Sequence, residues 1–146
     1  MGGVGEVDHA EEAALPQVRL RGLGFHAISE AGCVEHILRN LDAGRGGWVI
    51  TANLDHHRRA LRDRSYSEMC HKANLVVADG MLTVFASRLQ GTPLPGRVAG
   101  SDLISSLSAA AARNGRSIYL LGGSPGSAEG ARGVLQRRHP ELRVAG

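Results

Sequence analysis

The residues best suited to chemistry fall at the ends of apolar runs. In Leu75-Val76-Val77-Ala78-Asp79-Gly80, four apolar residues are followed at once by a carboxylate and a glycine. A carboxylate released at the end of a buried strand can act as a base toward a hydroxyl. Trp48-Val49-Ile50 leads in the same way into Thr51-Ala52-Asn53, and Ser117 to Leu121 leads into Gly122-Gly123-Ser124-Pro125-Gly126. A glycine turn between strand and helix suits a phosphate beside a helix N-terminus. This one carries neither the Walker lysine pattern nor a clean dinucleotide fingerprint. Arg97 follows the rigid turn Gly91-Thr92-Pro93-Leu94-Pro95-Gly96, which would aim its planar fork of donors at an anion.

Each position also has a plainer reading. Asp79 equally suits the capping of the helix that follows it. Thr51 and Asn53 are ordinary turn formers, and Arg97 is equally a solvated surface arginine. The pair His56-His57 lacks the i, i+4 spacing of helical metal ligands and reads as part of a solvated basic face.

The elements that would position these groups alternate along the chain. Val18 to Leu20 and Gly24 to His26 are short strands broken at Arg21-Gly22. Ser29 opens a helix with Val34, Ile37, Leu38 and Leu41 on one face, closed by Gly44. After the Trp48 to Ile50 strand, Asp55 is expected to cap a helix with Leu61 as a core contact. His56, His57, Arg58, Arg59, Arg62 and Arg64 are expected largely on its polar side. A short helix from Ser67 to Ala73 precedes the Asp79 strand, and Met81 to Leu89 follows it. Ser101-Asp102 signals the N-cap of a helix over Leu103 to Arg113, closed by Asn114-Gly115. A buried strand over Ser117 to Leu121, a helix over Ser127 to Arg138 and a strand over Leu142 to Ala145 complete the order.

Strands alternating with helices through short loops predict an α/β fold, a Rossmann-like three-layer sandwich with a mostly parallel sheet. The sandwich is expected to be incomplete, because no covering helix follows the last strand. In such sheets ligands bind outside the carboxyl ends of the strands, where Thr51, Asn53, Asp79, Gly80, Gly122 and Gly123 all fall.

The composition narrows the class. The chain has 146 residues, 42% of them apolar, which suits one domain with a core. No apolar run is long enough to span a bilayer. Met1 to Leu15 reads as a disordered leader ending at Pro16, without a secretory signal, so a cytoplasmic location is the default. Cys33 and Cys70 sit inside helical patterns and read as buried thiols rather than a disulfide or a metal pair. The net charge of +3 is carried by arginine, Lys72 being the only lysine. With 3% aromatic residues there is no stacking platform for nucleic acid.

Four segments together carry a family resemblance. They are Gly47 to His56, Ala73 to Met81, Leu94 to Leu103 and Leu120 to Gly126. In order and spacing they resemble the WecG/TagA/CpsF glycosyltransferases from about Val18 onward, with Ala52 where the family has a proline. The resemblance implies an inverting, metal-independent enzyme that needs no cofactor. It would move an N-acetylmannosamine-type or related sugar from a UDP-sugar to an undecaprenyl-diphosphate-linked sugar, in bacterial cell-wall or surface-polysaccharide synthesis. Asp79 matches the proposed base, and Thr51, Asn53 and Arg97 match residues of the substrate pocket. On this reading residues 17–146 are the N-terminal part of one glycosyltransferase domain. The family pattern continues through a Pro-Lys-Gln-Glu motif and a membrane-associating appendage, so peripheral membrane contact is expected only of a longer form. The 146-residue chain is expected to be inactive and marginally stable. A nucleotide-sugar-binding module without catalysis, and an inactive fragment, are the other readings. An oligomer is compatible with all three.

Overall fold

The computed structural model describes residues 15–146; the expected leader lies almost wholly outside them. Twelve elements follow in order: β1 (Gln17–Leu20), β2 (Leu23–His26), α1 (Glu30–Asp42), β3 (Val49–Ala52), α2 (Leu54–Arg62), α3 (Arg64–His71), β4 (Leu75–Ala78), α4 (Met81–Leu89), α5 (Gly100–Arg113), β5 (Ser117–Ile118), α6 (Ser127–Arg138) and β6 (Arg143–Val144).

The fold is mixed α/β, as the alternation predicts, but the strands do not join into one ladder. They pair as an antiparallel hairpin β1–β2 and two parallel pairs, β3–β4 and β5–β6. β4 is tied to β2 through a side chain instead, the Val76 N–H donating to His26 Nδ1 at 2.9 Å.

β3 and β4 run in register, Val49 opposite Leu75 and Thr51 opposite Val77. All four residues of β4 are buried. Successive side chains of a strand point to opposite faces, so a strand covered on both sides is apolar throughout. Val76 and Ala78 pack with Phe25, Cys70, Val84 and Leu94. Leu75 and Val77 pack on the other face with Cys33, Val34, Val98 and Leu103. Both thiols are free and buried, as expected. Burial, and then Glu30, pushes the Cys33 thiol up to about 11. A smaller cluster of Ala111, Leu135 and Leu142 lies under α6.

Several local expectations are corrected. Asn53, not Asp55, caps α2: its side chain accepts from the Asp55 and His56 N–H groups, and His56 closes a capping box. His57 is buried against the Phe25 ring, 5.1 Å between centroids, so it does not belong to a solvated face. Leu61 is 58% exposed and is no core contact. Asp63 caps α3, which therefore starts three residues before Ser67. α5 begins at Gly100 with Ala99 as its N-cap, which has no capping side chain of its own, so Ser101 and Asp102 lie inside the first turn. The expected buried strand over Ser117 to Leu121 shrinks to two paired residues, and Leu121 is 90% exposed. Apolar content alone marked that run as buried, yet only its first residues find a neighbouring strand.

Candidate active site

Because side chains alternate, Asp79 continues the face of Leu75 and Val77, which is the face α5 covers. The loop before α5 is drawn to the same place. Val98 N–H donates to Ala78 O at 2.8 Å, and Asp79 N–H donates to Ala52 O at 3.0 Å, extending the β3–β4 pairing by one step. Gly100 N–H then donates to Asp79 Oδ2 at 3.2 Å. The carboxylate therefore caps a helix, but that helix is α5, twenty-one residues onward, and not α4. Gly80 is the N-cap of α4 and offers no side-chain cap. It holds φ 157° with open space where a Cβ would stand, a conformation that only glycine adopts without strain.

Thr51 sits beside this contact. A Cβ built on Gly100 would lie 3.0 Å from Thr51 Oγ1, so the glycine permits the close approach of α5 to β3. Thr51 and Gly100 line a cavity of about 350 Å³ with Leu103, Ser108 and Ile118. The Ser108 hydroxyl is buried there without a hydrogen-bond partner among the described residues. Asn53 ends the same strand. Its Oδ1 accepts from the Asp55 and His56 N–H groups of the α2 cap, and the residue is exposed.

Arg97 pairs with Asp102, Nη2 to Oδ2 at 2.5 Å, both side chains being nearly half exposed. The loop carrying it is anchored by Ser87, whose buried hydroxyl donates to Val84 O at 2.7 Å and accepts from Leu94 N–H at 3.0 Å. Arg97 therefore stands on the segment that delivers Gly100 to Asp79. Gly122 and Gly123 stay exposed in the turn between β5 and α6, on the separate β5–β6 pair. The structure thus brings Thr51, Asp79 and Gly80 to the Gly100 contact, and the chain leading into the glycine turn lines the Thr51–Gly100 cavity through Ile118, Tyr119 and Leu120. Among the described residues no group of three or more His, Cys, Asp or Glu is arranged to hold a metal ion.

Gly100, Ser87 and Ser108 were not expected at the site from the residues themselves. In the sequence Gly100 only precedes the Ser101-Asp102 helix signal, and its role depends on how close two distant elements come.

The profile of the glycosyl transferase WecG/TagA/CpsF family matches residues 18–146. The chain belongs to this family. Over 138 residues it is 32% identical to an N-acetylglucosaminyldiphosphoundecaprenol N-acetyl-beta-D-mannosaminyltransferase of Staphylococcus aureus, covering 92% of this chain and 54% of that one. It is 27% identical over 106 residues to the Bacillus subtilis protein of the same name, covering 73% of this chain and 41% of that one. The chain spans about half the length of the curated relatives it matches.

Proposed function

We propose that the chain carries the catalytic-base region of an inverting glycosyltransferase. It would transfer an N-acetylmannosamine-type sugar from a UDP-sugar to an undecaprenyl-diphosphate-linked sugar in cell-wall or surface-polysaccharide synthesis. The observation that carries this reading is the half-buried Asp79 carboxylate at the carboxyl ends of the parallel β3–β4 pair, with Thr51 and the α5 N-terminus beside it. The names of the relatives support the acceptor and the transferred sugar, and the UDP donor rests on the family resemblance alone.

In the reaction the acceptor hydroxyl oxygen forms a bond to the anomeric carbon as the bond from that carbon to the UDP oxygen breaks. The hydroxyl proton passes to Asp79, whose Oδ1 is the oxygen not engaged by Gly100. UDP leaves as an anion and needs charge stabilisation rather than a proton, which Arg97 supplies by exchanging Asp102 for the diphosphate. Thr51 and Asn53 orient the sugars, and the Gly80 and Gly122-Gly123 turns present backbone N–H groups to the phosphates. No metal or cofactor enters this scheme. The fold is proposed to be of the Rossmann-like three-layer type, working in the cytoplasm at the inner membrane face beside its lipid-linked acceptor. No helix among the described residues is long and apolar enough to cross a membrane.

A second reading is favoured by the Gly100 contact: Asp79 as a structural cap in a non-catalytic nucleotide-sugar-binding module. Asp79→Asn separates the two. In the longest natural form of the protein, assayed from UDP-N-acetylmannosamine to a short-chain N-acetylglucosaminyl-diphosphate lipid, the base role predicts a loss of about two to four orders of magnitude in turnover with UDP binding retained. Wild-type turnover in the variant overturns the base assignment. A drop in melting temperature that accounts for the lost activity supports the cap.

A further inference from the structure

β3 and β5 each keep one unpaired edge, and the two edges face each other. Trp48 O accepts from the Leu75 N–H and Ala52 O from the Asp79 N–H, so even-numbered residues of β3 address β4. Successive residues of a parallel strand address opposite neighbours, which leaves the N–H and C=O groups of Val49 and Thr51 on the open side. On β5, Ile118 O accepts from the Ala145 N–H and the Leu120 N–H donates to Gly146 O, both toward β6. The backbone groups of Tyr119 and Leu121 therefore point the other way. Between the two edges lies the cavity of about 350 Å³, with Val49 and Thr51 on one wall and Ile118, Tyr119 and Leu120 on another. The directions match as well. α5 starts beside Thr51 at Gly100, and two turns later Leu107 lines a pocket with Trp48 and Val49, so α5 runs antiparallel to β3. The Asn114-Gly115 turn then reverses the chain into β5, which makes β5 parallel to β3. The carboxyl ends of both strands thus lie on the Asp79 side.

Side-chain parity agrees with this alignment. Ile118 and Leu120 share the cavity with Val49 and Thr51, which leaves Tyr119 and Leu121 for the face of Ile50 and Ala52. Tyr119 is 66% exposed and Leu121 90%, although an apolar strand is ordinarily covered. Two facing free edges are open to pairing. We propose that β5 closes onto β3 when a diphosphate ligand occupies the site, joining the two parallel pairs into one four-stranded sheet in the order β4-β3-β5-β6. Closure replaces the cavity by a strand spacing of about 4.8 Å and pairs the edge groups of Val49 and Thr51 with those of Tyr119 and Leu121. It also draws the Gly122-Gly123 turn to the end of the sheet where Asp79 and Thr51 stand. A ligand shifts such an equilibrium only through contacts made in one state, and a diphosphate meeting the glycine turn beside Asp79 makes them in the closed state alone. This rests on the transferase reading above only for the choice of ligand.

The test follows thiol accessibility, since both native cysteines are buried. In Leu121→Cys, maleimide labelling should be fast without ligand and slow at least about tenfold at UDP concentrations that calorimetry shows to be saturating. Leu89→Cys, at a 91% exposed position on α4, should label at one rate throughout. Tyr119→Pro removes an N–H that points at β3 and none that β6 uses, so added to Leu121→Cys it should abolish the UDP effect without lowering the melting temperature. Tyr119→Ala keeps that N–H and should retain the effect. Absence of UDP binding, labelling unchanged by UDP, or slow labelling already without it overturns the proposal. So does an equal slowing at Leu89→Cys, or a UDP effect that survives Tyr119→Pro. If UDP closes the sheet but the Asp79→Asn assay shows wild-type turnover, the closure stands and the base assignment fails.

Discussion

Asp79 Oδ2 and the Gly100 N–H lie 3.2 Å apart, joining the end of β4 to the first residue of α5. The same glycine leaves only 3.0 Å between its missing Cβ and Thr51 Oγ1. Three elements are therefore held by one residue that has no side chain. Gly100→Ala should cost about 1 kcal/mol of stability through that clash, against the gain in helix propensity an alanine would otherwise bring. Gly100→Ala combined with Thr51→Ala should recover the loss, as chemical denaturation of the two variants would show. A Gly100→Ala protein as stable as wild type would mean that α5 shifts freely.

The Asn53 side-chain oxygen caps α2, and the proposed function gives the same side chain a second task, orienting the substrate. Asn53→Ala should destabilise the fold by about 1 kcal/mol. Asn53→Asp keeps the capping oxygen and places a negative charge at the helix N-terminus, so the melt should stay near wild type. Donor binding should nonetheless fall, since the aspartate offers no donor and repels a diphosphate. Titration with UDP distinguishes the two effects.

Arg97 is paired with Asp102 near the surface, and such pairs contribute little to stability. Arg97→Lys should leave the melting temperature unchanged. It should lower UDP affinity or transfer rate by about tenfold, because a lysine keeps the charge and loses the bidentate fork. Equal affinity and rate in variant and wild type would leave Arg97 as a surface residue.

His26 and His57 should make the fold sensitive to mild acid. Burial lowers the proton affinity of both rings, with the charge of His36 acting in the same direction on His26 and that of Arg21 on His57. Their folded values lie below the ordinary 6.5, so in that window the unfolded chain binds more protons. Their contribution to stability is complete above the ordinary value and is lost as pH falls through it toward the folded values. A melting temperature that declines from about pH 7.5 to 5.5 is expected, and His57→Gln should flatten that decline. An unchanged slope in the variant would remove His57 from the explanation.

The sequence by itself determined where the chemistry-bearing residues sit along the chain. Four apolar residues before Asp79 specify a buried strand, and a strand's end is a local matter, so Thr51, Asn53, Asp79 and Gly80 could be placed at carboxyl ends without coordinates. The turn composition of Gly91 to Gly96 likewise announced an irregular loop carrying Arg97. Only the tertiary structure decided what those residues touch. Asp79 suits a cap on any sequence argument, but the helix it caps begins twenty-one residues later, a choice made by chain folding and not by neighbouring residues. Helical periodicity put His57 among polar neighbours, yet the β1–β2 hairpin brings Phe25 over it and removes it from water. The same periodicity marked Leu61 as core, though no element among the described residues covers that side of α2. Apolar spacing identifies a face, whereas burial depends on which distant segment arrives to cover it.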